Sequence, residues 1–177
     1  MKKHLLLATI LLSACQQQAL FAPSEPYRDT CPQVQIMRNE SYLTQYSNYK
    51  ETFQISISGF EGFCYHEDYL DNYRAVITPI FKIKRLRPSD ETDVRFSYYT
   101  ETVKGPPEYL GKKTQFVNAY IGANEQETYF KAPETKVFVP AEMIGDYDIN
   151  LGLWISPSEK KYNQKTFDIN YRYIEEE

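Results

Sequence analysis

The chain has 177 residues, with 24 acidic against 20 basic side chains and a formal charge of −4. That length suits one domain around one core. Lys and Arg are dispersed among acids, so the chain lacks the basic footprint that a nucleic-acid-binding surface needs. The one local cluster, Lys82, Lys84, Arg85 and Arg87, reads as a solvated strand end, with contact to an anionic surface as its alternative.

At the N-terminus, Lys2 and Lys3 precede the apolar run from Leu5 to Leu12 and the small residues Ser13 and Ala14. This is the order of a signal peptide over residues 1–14, and the apolar run falls far short of the ~20 residues needed to span a bilayer. Cys15 stands directly after the small pair, where a lipoprotein carries the thiol that is acylated. The expected partner is therefore the lipid bilayer, reached through acylated Cys15. Gln16 is not the acidic residue linked to inner-membrane retention in some bacteria, so the expected location is the outer membrane of a bacterial envelope, facing the periplasm. Residues 15–30 contain Gln16-Gln17-Gln18, Pro23, Ser24 and Pro26 without sustained periodicity and read as the lipidated start and a flexible tether. The domain proper is expected over 31–174, followed by an acidic tail, 175–177.

With Cys15 assigned to lipid, Cys31 and Cys64 remain as an even pair in an oxidising compartment, where two such thiols usually join. The alternative is a reactive or metal-binding thiol. It finds little support, because there is no Cys-x-x-Cys and only His66 survives removal of the signal peptide.

From Cys31 onward, apolar residues recur with period two in short runs. Gln33 to Ile36 is the first. Phe53, Ile55 and Ile57 follow, ending at Gly59 and Gly62, and then Ala75, Ile77, Phe81 and Ile83. Pro79 interrupts that last run and places the strand at an edge or a bulge. Val94, Phe96 and Tyr98 come next, then Phe116 to Ile121, Val137 to Val139, Tyr147 to Ile155 and Phe167 to Tyr173. Pro157 to Tyr162 reads as a single helical turn capped by Ser158. Seven to nine strands without a crossover helix predict an all-β fold, an antiparallel β-sandwich of immunoglobulin or fibronectin-III type, with a barrel as the alternative.

Some of these residues form a pattern: Cys31-Pro32-x-Val34-x-Ile36 after the lipidated Cys, Phe60-x-Gly62-x-Cys64 followed by acids, and Ser156-Pro157-Ser158-Glu159-x-x-Tyr162-Asn163. The chain thereby resembles a group of small alphaproteobacterial envelope lipoproteins of unassigned function. The resemblance implies a periplasm-facing β-domain on an acyl anchor with its two Cys paired, and it brings no catalytic residue. The abundance of Tyr and Lys departs from that group.

No motif announces catalysis. Gly105 and Gly111-Lys112-Lys113 imitate a phosphate loop with the wrong glycine spacing and a Lys where Ser or Thr is needed. There is no nucleophile elbow for a serine hydrolase. His66, Glu67, Asp68, Asp71 and Asn72 offer one imidazole and several oxygens but not the spacing of a calcium loop. The sequence thus points to no catalytic residue, metal or cofactor. Paired carboxylates, as in a hydrolase acting on peptidoglycan or its glycan, have no sequence signature of their own. The 16 Tyr are the most unusual compositional feature, and Tyr suits interfaces because its ring buries area while its hydroxyl stays wet. Tyr98, Tyr99, Tyr120, Tyr129 and Trp154 are the candidate binding surface. The expected function is a membrane-anchored binding or scaffold module for another envelope component, a protein or the cell wall. A secretion-system accessory lipoprotein and a peptidoglycan hydrolase are the alternatives.

Overall fold

The computed structural model describes residues 31–67, 69, 72–103, 111–141 and 147–174. The expected signal peptide, Cys15, the expected tether, the loop carrying Gly105 and residues 175–177 lie outside them. Among the described residues, nine strands form two packed sheets, the two-layer all-β sandwich that the period-two pattern predicts. They are β1 (Gln33–Ile36), β2 (Tyr42–Ser47), β3 (Lys50–Glu67), β4 (Asn72–Arg85), β5 (Asp93–Thr102), β6 (Gly111–Tyr120), β7 (Glu127–Lys131), β8 (Thr135–Pro140) and β9 (Asp148–Leu153). One sheet runs in the order β1-β9-β5-β6. The other runs β2-β3-β4-β7, with β8 pairing the first part of β4. The pairing is antiparallel except between β1 and β9, which run parallel, so the fully antiparallel expectation is corrected there.

Alternation along each strand builds the core. Phe53, Ile55, Phe81 and Ile83 from one sheet meet Val94, Phe96, Tyr98, Leu151 and Leu153 from the other. Phe81 packs edge-on against Phe96, with ring centres 4.8 Å apart, and lies 5.3 Å from Tyr98. A second cluster at the other end joins Cys64, Ala75, Ile77, Val137, Val139, Tyr147 and Ile149. There Cys31 is bonded to Cys64 with their Cα atoms 5.7 Å apart, inside the range that a disulfide spans.

Pro79 sits in a central strand and not at an edge. β8 pairs Asn72–Ile77 and β7 pairs Ile80–Lys84, so the residue without an N–H falls where one neighbour gives way to the next. Its carbonyl still accepts from the Ala132 N–H at 2.9 Å. On the other side, β3 carries a bulge between Ile57 and Gly59.

Two further expectations are corrected. Phe167 to Tyr173 is not a strand, because the segment belongs to α1 (Pro157–Ile174). The helix opens with a capping box formed by Ser156 and not by Ser158: Ser156 Oγ accepts from the Glu159 N–H at 3.2 Å, and the Glu159 carboxylate accepts from the Ser156 N–H at 2.9 Å. Two N–H groups at the helix start are thereby satisfied reciprocally, and Pro157 takes the first helical position, where no N–H is missed.

The basic cluster is also not a solvated strand end throughout. Arg85 is 3% exposed. Period two carries it inward after Phe81 and Ile83, and its guanidinium donates to the carbonyls of Ser89 and Glu91 at 2.8 Å and of Glu125 and Gly122 at 3.2 Å. Its cation lies 5.1 Å over the Phe53 ring. One side chain thus holds together the two loops at that end, while Lys84 and Arg87 stay outside and Lys82 pairs with Glu127 at 2.9 Å.

Candidate binding face

The five aromatic candidates do not form one surface. Tyr98 and Tyr99 are consecutive on β5 and therefore point to opposite faces, and both are covered, at 1% and 2% exposure. Tyr98 enters the core, where its hydroxyl lies 3.0 Å from Thr135 Oγ1 of the opposite sheet. Tyr99 lies on the outer face of the four-stranded sheet but is roofed by its neighbours. Both are corrections to the expected surface. Tyr129 is exposed on the other sheet, with the Lys82 ammonium 5.7 Å over its ring.

Tyr120 and Trp154 remain, joined by a residue that the sequence reading left out. Phe116 on β6 is 88% exposed and Trp154, just after β9, 57%. Phe116 is the cross-strand partner of Ser97, and the Trp154 N–H donates to the Ser97 carbonyl at 2.8 Å. The two large rings therefore flank one small residue in a single row across the sheet. Tyr120 stands further along β6, opposite Asp93. A shallow cleft of about 330 Å³, lined by Arg95, Phe96, Ser97, Phe116, Val117 and Asn118, adjoins the row. Phe116 carried a signal: it alternates with Val117 and Ala119, so an outward apolar ring could be read once the inward face of β6 was assigned.

Beside this row lies a buried carboxylate, that of Glu40. Glu40 closes the 3-10 turn Arg38–Glu40 that carries the chain from one sheet to the other, and it is buried. One carboxylate oxygen accepts from the Tyr99 hydroxyl and the other from the Lys160 ammonium of α1. Burial pushes its pKa up, but the hydrogen bonds from Lys160 and Tyr99 and the charges of Lys160 and Lys112 outweigh that and hold it below the usual carboxylate value. Burial, together with the Glu40 carboxylate, pushes the Tyr99 phenol far above its usual range. The Lys112 ammonium stands 3.4 Å over the centre of the Tyr99 ring and 5.2 Å from that of Trp154. Asn163 completes the joint, donating to the carbonyls of Asn39 at 3.1 Å and Tyr42 at 2.8 Å. The cluster fastens α1 to the sheet, and both oxygens of Glu40 are taken.

In the His66 segment, the His66 ring packs at a tilt against that of Tyr73, with ring centres 4.7 Å apart, and Glu67 pairs with Arg74 at 2.9 Å. Asp68 and Asp71 lie outside the described residues. Among the described residues, no group of three or more His, Cys, Asp or Glu is placed to hold a metal, and no helix is long and apolar enough to cross a membrane.

The chain matches no protein-family model, no curated protein and no solved structure.

Proposed function

We propose that the protein is a lipid-anchored component of a bacterial envelope whose β-sandwich works by binding another envelope component, a protein or the cell wall, and not by turning over a substrate. The observation that carries this reading is the row Trp154, Ser97, Phe116 on the outer face of the four-stranded sheet. Two large exposed rings flank a small polar residue there, and exposed aromatics of this kind dominate interface energetics. The anchor rests on Lys2-Lys3, the apolar run and Ser13-Ala14-Cys15. One acyl chain binds membranes only marginally, so stable attachment calls for more than one.

The binding test is cross-linking in intact cells with identification of what co-purifies. Trp154→Ala should lose the partner while leaving thermal stability nearly unchanged. Unchanged recovery of every cross-linked species would sink the reading. The anchor is tested by Cys15→Ser, which should leave the protein unprocessed or release it from the membrane fraction. Processing and fractionation like wild type would refute the lipid assignment.

A further inference from the structure

We propose that α1 is a latch that lets go of the domain in acid while the sandwich beneath it stays folded, with the Glu40 carboxylate as its catch. The inference does not depend on the anchor or on the partner proposed above.

A helix usually owes its place to an apolar face packed on the core. α1 shows no such face among its described side chains, Pro157 to Thr166. Asn163 is the one buried residue of that stretch, and neither apolar cluster takes a member from it. What fastens the helix is polar and converges on one place. Lys160 donates to Glu40, and the Asn163 amide donates to the carbonyls of Asn39 at 3.1 Å and Tyr42 at 2.8 Å, so these bonds end on the 3-10 turn and just beyond it. Both donors lie within the first two turns of the helix.

The helix can leave without stranding its own backbone. Its capping box, Ser156 with Glu159, is internal to it, so undocking orphans neither of the N–H groups that the box satisfies. Trp154 to Ser156 join β9 to α1 without regular structure, which gives the chain a place to swing. Units held by few buried apolar contacts open locally before the whole fold does.

Glu40 sets the condition for opening. The groups that act on it are the Lys160 ammonium from α1, the Tyr99 phenol from β5 and the Lys112 ammonium from β6, with Glu101 acting on Tyr99 and Arg38 sharing the turn. β2 and β9 border the turn through Tyr42 and Leu151, whose carbonyls accept from Asn163 and the Met37 N–H. Of all these only the carboxylates titrate in acid. A protonated Glu40 keeps a hydrogen bond to Tyr99 but has no charge with which to hold Lys160. Its folded pKa lies below 4.5, so the catch is set above that value and released as pH falls through the lower folded one,. The open state offers the Glu40 carboxyl and the carbonyls of Asn39 and Tyr42 to solvent beside the aromatic row.

The test is hydrogen exchange by mass spectrometry on the full chain in detergent, with each rate divided by its intrinsic value at that pH. Between about pH 7 and about pH 3, protection of α1 should fall about tenfold or more while that of β5 and β9 persists. Glu40→Gln should hold α1 equally loosely at both pH values. Lys160→Met, which touches only the helix side of the bond, should loosen α1 at about pH 7 as acid does. Loss of protection in α1, β5 and β9 together would overturn the proposal, since the helix would then be no separate unit. So would α1 protection in wild type that ignores pH, or a pH dependence that survives in Glu40→Gln.

Discussion

The Tyr99 ring lies so close over Gly152 that a β-carbon built on Gly152 would stand 2.6 Å from the phenol oxygen. Glycine at 152 is thus what lets a tyrosine lie flat on the sheet and reach Glu40. Gly152→Ala should push the ring away, break the Tyr99–Glu40 bond and cost about 1–3 kcal/mol. Urea denaturation would reveal the loss as a lower midpoint with unchanged slope. Wild-type stability in this variant would mean that the outer face has room to spare.

Glu40 should give the fold an acid-sensitive joint. Its folded pKa is depressed, so the charged form is favoured by folding. The contribution is complete above the ordinary value of 4.5 and lost as pH falls through the lower folded value,. Wild type should therefore lose stability on acidification below that value, and Glu40→Gln should show a flatter dependence in that window. Parallel curves for the two proteins would refute the linkage.

Arg85, buried at one end of the sandwich, should be costly to remove. Replacing it with Ala would take the guanidinium donor from the carbonyls of Ser89, Glu91 and Glu125, while the Gly122 carbonyl would keep only the Glu125 N–H,. A loss of roughly 3 kcal/mol or more is expected on that basis. Amide exchange should accelerate in residues 86–92 and 121–126 before it does in the core. Arg85→Lys should rescue only a fraction, because an ammonium cannot reproduce the planar fork.

Breaking the Cys31–Cys64 bond by Cys64→Ser should cost about 2–5 kcal/mol. Alkylation of the native protein without reductant, followed by mass spectrometry, should find these two sulfurs blocked. Two free thiols would contradict the pairing.

How much of this was legible in the sequence depends on how residues announce themselves. Most strands were, because Val94-Phe96-Tyr98 and Ile149-Leu151-Leu153 alternate cleanly. β2 was not: its turn into β3 is Asn48-Tyr49, both with positive φ, 51° and 61°, and a tyrosine there hides what Asn-Gly would have advertised. α1 was legible only as its first turn, Pro157 to Tyr162, and its continuation was read as a strand because Asn163, Phe167, Tyr171 and Ile174 fit a helical period that Tyr-rich composition disguised as β propensity. Of the aromatic surface, Trp154 and Tyr120 were legible from alternation. Tyr99 was not, because its cover is built from Glu40, Lys112 and Lys160, residues far apart in the chain. The polar joint at Glu40 had no local signal at all, since it exists only once α1 folds back on the 3-10 turn.

The disulfide also decides how the molecule takes a mechanical load. A pull on the residues before Cys31 does not simply peel β1 from β9. At Cys31 the load divides, one branch passing along β1 into the four-stranded sheet and the other crossing through sulfur to Cys64 in β3 of the opposite sheet. Both layers are then drawn together rather than unzipped in turn, and the parallel β1–β9 ladder is loaded in shear along its length. Forced extension is governed by how fast the native state can open, so reduction of this one bond should convert a stiff attachment point into a compliant one.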